Sequence, residues 1–220
     1  MRDFAEIEAI AVGRKGAGML EGLIQPVAVE ELAAKPLSVW LEAMAKAIFQ
    51  AGFSWSVIDA KWPGVQAAFA GFDPGKLALW HDDDMARLLA DPGIVRNGAK
   101  ISAVLENAVF LMALQGETGD AAGHLAHWPG ADQAGFLALL GKRGARLGGN
   151  TGQRVCRMVG RDSYVLSDDV VKRLVIEGVI EGPPSSAKAM GRVQAAFNLW
   201  ADQSGRSLAQ ISQILAQSVD

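Results

Sequence analysis

The chain has one cysteine, Cys156, and one tyrosine, Tyr164, in 220 residues. A single cysteine excludes an intrachain disulfide and any four-cysteine metal or iron–sulfur site within one chain. No apolar run reaches the roughly 18 residues of a membrane helix. The start, Met1-Arg2-Asp3-Phe4-Ala5-Glu6, lacks the basic-then-apolar order of a secretory signal. A cytoplasmic protein with no membrane partner is therefore expected. The three histidines, His81, His124 and His127, make no plausible zinc set without cysteines, so no metal and no cofactor are expected. Sustained strand-like alternation is missing too. Acid is missing in one place: no Asp or Glu lies between Asp132 and Asp162, where Lys142, Arg143, Arg146, Arg154, Arg157 and Arg161 occur. The net charge of −3 argues against a general polycationic DNA coater. Charge segregated in this way is nevertheless the footprint of a phosphate-binding face. It is equally a solvated face whose acidic partners come from elsewhere in the fold.

What is present reads as helices. Half the residues are hydrophobic, enough for a sizeable core. Trp40, Met44, Ala47 and Ile48 fall at helical spacing, as do Ile101, Val104, Leu105, Ala108, Leu111 and Met112. Phe136 to Leu140 form an apolar run. Val193, Ala196, Phe197 and Trp200 share a face that Ser204-Gly205 ends, and Leu208, Ile211 and Leu215 form a last helix. The Val-Ile runs between Val170 and Ile180 are the one place where a short strand competes. Asp73-Pro74 and Asp91-Pro92 each suit a helix N-cap followed by proline at the first helical position. These marks divide one all-α domain, 1–220, into an N-terminal extension (1–36), a first lobe (37–130), a segment rich in basic residues and glycine (131–182) and a C-terminal helical pair (183–220).

Phe49-Gln50-Ala51-Gly52-Phe53-Ser54-Trp55 resembles the signature segment of the type I 3-methyladenine DNA glycosylases. Ordered matches follow at the right separations: Phe69-Ala70-Gly71-Phe72-Asp73-Pro74, then Leu88 to Asn97, then Lys100-Ile101 and Glu106-Asn107-Ala108. They cover residues 40 to 115, and a weaker match runs from Lys142-Arg143-Gly144 to Val171. The resemblance implies a helix-hairpin-helix DNA glycosylase-like fold with two helical lobes around a cleft, acting on double-stranded DNA that contains damaged bases, with no obligatory protein partner. It implies hydrolysis of the N-glycosidic bond of alkylated purines such as 3-methyladenine, in base excision repair. The alternative on the same scaffold is a non-catalytic lesion or DNA-structure binder.

A glycosylase flips a base out of the stack and holds it against aromatic groups. The resemblance gives Trp55 that place, with Gln50 and Ser54 nearby as polar lining. The remaining tryptophans read as core. Leu147 to Gly152 is a glycine-rich turn between helices, either an ordinary helix end or a hairpin whose backbone N–H groups grip a phosphate. On the second reading Gly149, Asn150, Thr151, Gly152, Arg154 and Arg157 bind DNA. Asp168 resembles the carboxylate that helix-hairpin-helix glycosylases place after the hairpin, where it stabilises an oxocarbenium-like sugar or orients water. It is also a good helix cap. No lysine stands at Asn150 to Gln153, so no Schiff base and no strand-cleaving step are expected.

Three departures stand against the resemblance. Asp169 and Arg173 occupy the places of the family's C-terminal zinc-binding histidine and cysteine. The family's pocket glutamate aligns with Ala47, which leaves altered specificity, a substitute such as Glu42, or no excision. The family's N-terminal pocket aromatic has no counterpart, and Tyr164 lies elsewhere in the chain.

Overall fold

A computed structural model describes all 220 residues. The chain is all-α and divides into two compact units, one made of Met1–Val27, Trp128–Phe136 and Gly160–Asp220, the other of Ala28–His127 and Leu137–Val159. Near Val170, where a strand competes with a helix in the sequence, the helix wins. Those residues lie in a helix, Asp168–Ile176, because Ser167 accepts the Val170 N–H and starts it, and Val170 and Leu174 share its buried face.

The unit beginning at Ala28 holds α2 (Val29–Ala33), α3 (Leu37–Gln50), α4 (Trp55–Ala68), α5 (Pro74–Leu77), α6 (Asp82–Ala90), α7 (Gly98–Thr118) and α8 (Ala121–Ala126), the end of α9 (Gln133–Arg143), and α10 (Asn150–Val159). α3 is its axis, packed lengthwise on α7 and α10. Trp40, Met44, Ala47 and Ile48 are buried, as their spacing requires. Phe49, Trp62, Phe69 and Phe72 interlock through edge and stacked contacts. On α7 the buried stripe is Ile101, Val104, Ala108 and Leu111, while Met112 faces out and Asn107 faces in.

The two Asp-Pro doublets differ in outcome. Asp73 caps α5, its carboxylate accepting the Gly75 and Lys76 N–H groups, with Pro74 first in the helix. Asp91 instead ends α6 and folds onto Gly93 N at 2.7 Å, and the next helix starts only at Asn97, which caps α7. A short-range aspartate turn absorbs the carboxylate that the sequence reading gave to a helix cap.

The other unit holds α1 (Phe4–Lys15), the start of α9, α11 (Asp168–Ile176), α12 (Ala187–Ser204) and α13 (Leu208–Gln217). α1 packs against α12 and α13. Phe4 N donates to Gln203 Oε1, and Arg206 Nε meets Glu8 at 2.5 Å. Asp162 caps α13 by accepting the Leu208 and Ala209 N–H groups. Ser207 and Gln210 complete a capping box on the same turn.

Arg173 is buried here. Its guanidinium reaches Glu177, Ser218 Oγ and the Ser218 carbonyl oxygen, and Glu177 in turn holds the Arg2 N–H and guanidinium. An ion-pair clasp thus ties the N-terminus, α11 and the C-terminal residues, with its centre at a position where the resemblance puts a zinc-binding cysteine. Burial raises the Glu177 carboxyl, but the hydrogen bonds from Arg2 and Arg173 outweigh this and hold its pKa below the usual carboxylate value.

The basic stretch is not one cationic face. Arg161 is buried, donating to Gln133 Oε1 and to the Trp128 and Asp162 carbonyls. Arg143 pairs with Glu117 through two bonds of 2.7 Å. Lys142, Arg146 and Arg154 pair with no carboxylate.

Candidate functional site

The signature segment makes the end of α3, a tight turn and the start of α4. Gly52 turns the chain at φ 75°, a conformation open to glycine and strained for other residues. Ser54 is the N-cap residue of α4 and Trp55 its first residue. The last carbonyls of α3 would be orphaned by this break. Lys100 of α7 satisfies them: its buried Nζ donates to Ile48 O at 2.7 Å, Phe49 O at 3.0 Å and Ala51 O at 2.5 Å, and lies 4.4 Å from the centre of the Phe53 ring. Burial, and then the charge of Arg146, lower the Lys100 pKa.

α10 meets this turn from the other side. The connection from α9 is pinned by the fully buried Asn107, which accepts the Ala145 N–H at 2.8 Å and donates to the Ala145 carbonyl at 3.0 Å. Arg146 and Gly149 take positive φ. A side chain on Gly152 would stand 2.5 Å from the Leu147 carbonyl oxygen, so the first turn of α10 packs against that carbonyl only with glycine there. Asn107→Ala strips both groups of Ala145 of their partner. The expected cost is about 1–3 kcal/mol, read as a lowered urea midpoint.

Between the turn and α10 lies a hollow of about 260 Å³. That is just below the roughly 300–1,000 Å³ of small-molecule sites. α3 contributes Ala47 and Gln50, the turn contributes Phe53 and Trp55, and α10 contributes Asn150, Thr151 and Arg154. Trp55 is 50% exposed, whereas Trp40 and Trp200 are fully buried. The Arg154 guanidinium sits over the indole of Trp55, 4.5 Å from its centre. Gln50 is only 4% exposed, and its Oε1 has no hydrogen-bond partner. No carboxylate lines the hollow.

Of the residues singled out in the sequence, Trp55, Gln50, Asn150, Thr151 and Arg154 come together here. Ser54 does not line the hollow, and its hydroxyl shares a hydrogen bond with Ser56. Gly149, Gly152 and Arg157 are not in its lining either. Asp168 belongs to the other unit, exposed as the first residue of α11, where Ser167 rather than Asp168 is the cap. Glu42 is engaged elsewhere, accepting from Trp62 Nε1 and Gln66 Nε2. It does not replace the carboxylate missing at Ala47. Tyr164 is buried against Phe197. Sequence reasoning missed Phe53 and Lys100. The Lys100-Ile101 match was the available signal for the second.

The family profile described as methyladenine glycosylase matches residues 38–133. Over that stretch, less than half of its length, the chain is similar to the methyladenine glycosylase family. It is 42% identical over 59 residues to DNA-3-methyladenine glycosylase 1 of Escherichia coli, and 33% identical over 66 residues to the DNA-3-methyladenine glycosylase of Haemophilus influenzae. These stretches are 27% and 30% of this chain. They span about a third of the curated relatives, 32% and 36% of their lengths. A solved 3-methyladenine DNA glycosylase I from Staphylococcus aureus superposes with a TM-score of 0.50 at 20% identity, over 70% of this chain and 90% of that one. That likeness is one of fold. No three His, Cys, Asp or Glu side chains are grouped to hold a metal ion, and no helix is long and apolar enough to cross a membrane.

Proposed function

We propose that the chain is a monofunctional DNA glycosylase of base excision repair. It binds double-stranded DNA, receives a flipped damaged base beside Trp55, and hydrolyses the bond from sugar to base. The observation that supports this most is a half-exposed tryptophan lining a hollow next to the first turn of α10, in a chain similar to this family over residues 38–133. Trp55 stacks on the base, and Gln50 hydrogen-bonds its edge. α9, the glycine-rich turn and α10 act as a helix-hairpin-helix. The first N–H groups of α10 at Asn150, Thr151 and Gly152, with Gly149 and Arg157, hold the sugar–phosphate strand. Asp168 is the carboxylate for water or sugar. Alkylated purines such as 3-methyladenine are the substrates that the relatives' names suggest.

The test is free-base release, at protein excess, from DNA carrying methylated bases and from DNA carrying deaminated ones. Release of an altered base is expected, and Trp55→Ala slows it about 10–100-fold, the effect of losing one base–aromatic stack. Asp168→Asn is expected to slow it as well. No borohydride-trapped adduct forms, because water rather than a lysine attacks. Failure to release any base from either DNA rejects the enzyme.

Ala47 favours a second reading, in which the chain binds lesions without cleaving them. Salt-sensitive binding of damaged duplex without base release, weakened by Arg154→Ala, marks that case.

A further inference from the structure

We propose that the hollow selects an uncharged 6-oxopurine, of which hypoxanthine is the simplest, over a cationic alkylpurine, and that Arg154 sets this preference. The inference rests on the reading above that the hollow receives a flipped base. Every formal charge at the hollow is positive. Arg154 lines it with no carboxylate partner, and Lys100 stands behind Phe53. Asn150 and Thr151 bring the positive end of α10 to the same wall. Residue 47, an alanine, brings only a methyl group to the lining. A purine methylated at N3 or N7 carries positive charge, so it meets repulsion in this lining and no counter-charge there.

A 6-oxopurine fits the polar groups. Arginine pairs with the O6 and N7 acceptors of a purine through two hydrogen bonds. N1–H, next along the same edge, is a donor, and the buried Gln50 Oε1 lacks one. A phosphate would satisfy Arg154 but has no donor for Gln50. The chemistry points the same way. Water adds its oxygen to C1′ and the C1′–N9 electron pair leaves with the base. The products are an abasic deoxyribose and the purine, which takes back the proton that water lost. A cationic base leaves neutral and needs little help. An uncharged base leaves with developing negative charge, which a guanidinium at O6 and N7 stabilises in the transition state.

The test compares single-turnover release by the full chain from duplexes holding hypoxanthine, uracil or 7-methylguanine, and from methylated DNA holding 3-methyladenine. Hypoxanthine is expected to leave at least about tenfold faster than either methylated purine. Arg154→Gln is expected to slow hypoxanthine release about 100-fold, the scale of losing one such donor, and to slow release of the methylated purines far less, so that the preference between them narrows. Ala47→Glu in that background is expected to turn the preference toward the methylated purines. Wild-type release of 3-methyladenine as fast as hypoxanthine overturns the inference and leaves the glycosylase standing. Uracil released faster than hypoxanthine overturns the purine assignment. If no base is released, the enzyme fails, and competition binding with the same duplexes decides the preference. Tighter hypoxanthine binding that Arg154→Gln abolishes supports it, and equal binding overturns it.

Discussion

Arg173→Met lowers the stability of the chain by about 3–5 kcal/mol, the usual cost of removing one partner from a buried ion pair. In a chain of this size that is a fall in Tm of roughly 6–20 °C, at about 2–4 °C per kcal/mol. Both side chains are shut off from water, Arg173 at 5% exposure and Glu177 at 1%. Nε of Arg173 donates to Ser218 Oγ at 2.7 Å, and a second nitrogen donates to Glu177 Oε1 at 3.1 Å. Methionine fills the space and removes every one of these donors. Glu177 then keeps only Arg2, whose side chain is 45% exposed. The surface pair Lys46–Asp59 is the control, and removal of its more exposed member, Asp59→Ala, should cost no more than about 1 kcal/mol. Calorimetry on both variants reads the difference. If Arg173→Met melts within a degree of the parent, the clasp does not hold the termini.

The clasp also has a pH signature. The Glu177 carboxyl titrates below its usual value of 4.5 in the fold. A depressed carboxylate adds stability that is full above the unfolded pKa and fades as pH falls through the folded one. The parent should therefore lose stability on acidification below about pH 4.5. Arg173→Met, with one donor fewer on the carboxylate, should lose less over the same window. Urea midpoints across that range give the slope directly.

Much of the helical frame was legible because its signals are local. Asp73-Pro74, the stripe from Ile101 to Leu111, and Ser204-Gly205 act over one or two turns, and the chain there behaves as the residues alone dictate. Asp91-Pro92 misled because an aspartate turn and a helix cap begin with the same hydrogen bond, from an N–H two or three residues on. Arg161 misled because charge along a sequence carries no burial. A run of cations looks like a surface until Gln133 and the Trp128 carbonyl are seen to enclose one of them. At the hollow, the short stretch from Gln50 to Trp55 announced itself. The stacking of Arg154 on Trp55 did not, because it depends on α10 lying along α3 across about a hundred residues of chain. A separation of 49 to 52 residues hid Lys100. Its role is set by three carbonyls on another helix, and carbonyls leave no mark in a sequence.

That hidden lysine leads to the second large effect. Lys100→Met is expected to cost about 2–4 kcal/mol. Three charge-assisted bonds at about 1.5–3 kcal/mol each are lost, offset in part by no longer burying an ammonium. The damage falls on the carbonyls of Ile48, Phe49 and Ala51, so the turn carrying Gln50 and Phe53 loosens while the far end of α3, with Trp40 in solid packing, keeps its place. Lys100→Arg should rescue little, since a planar fork cannot take the compact position of one nitrogen among three carbonyls. Positioning and bulk stability separate in binding. If the chain binds DNA as proposed, its affinity for undamaged duplex would depend on exposed cations such as Lys142 and Arg146 and should hold in the folded variant. Discrimination for a lesion depends on the shape of the hollow and should fall toward none. Equal loss of both affinities would mean that Lys100 only stabilises the fold, and retained discrimination would mean that the turn keeps its form without it.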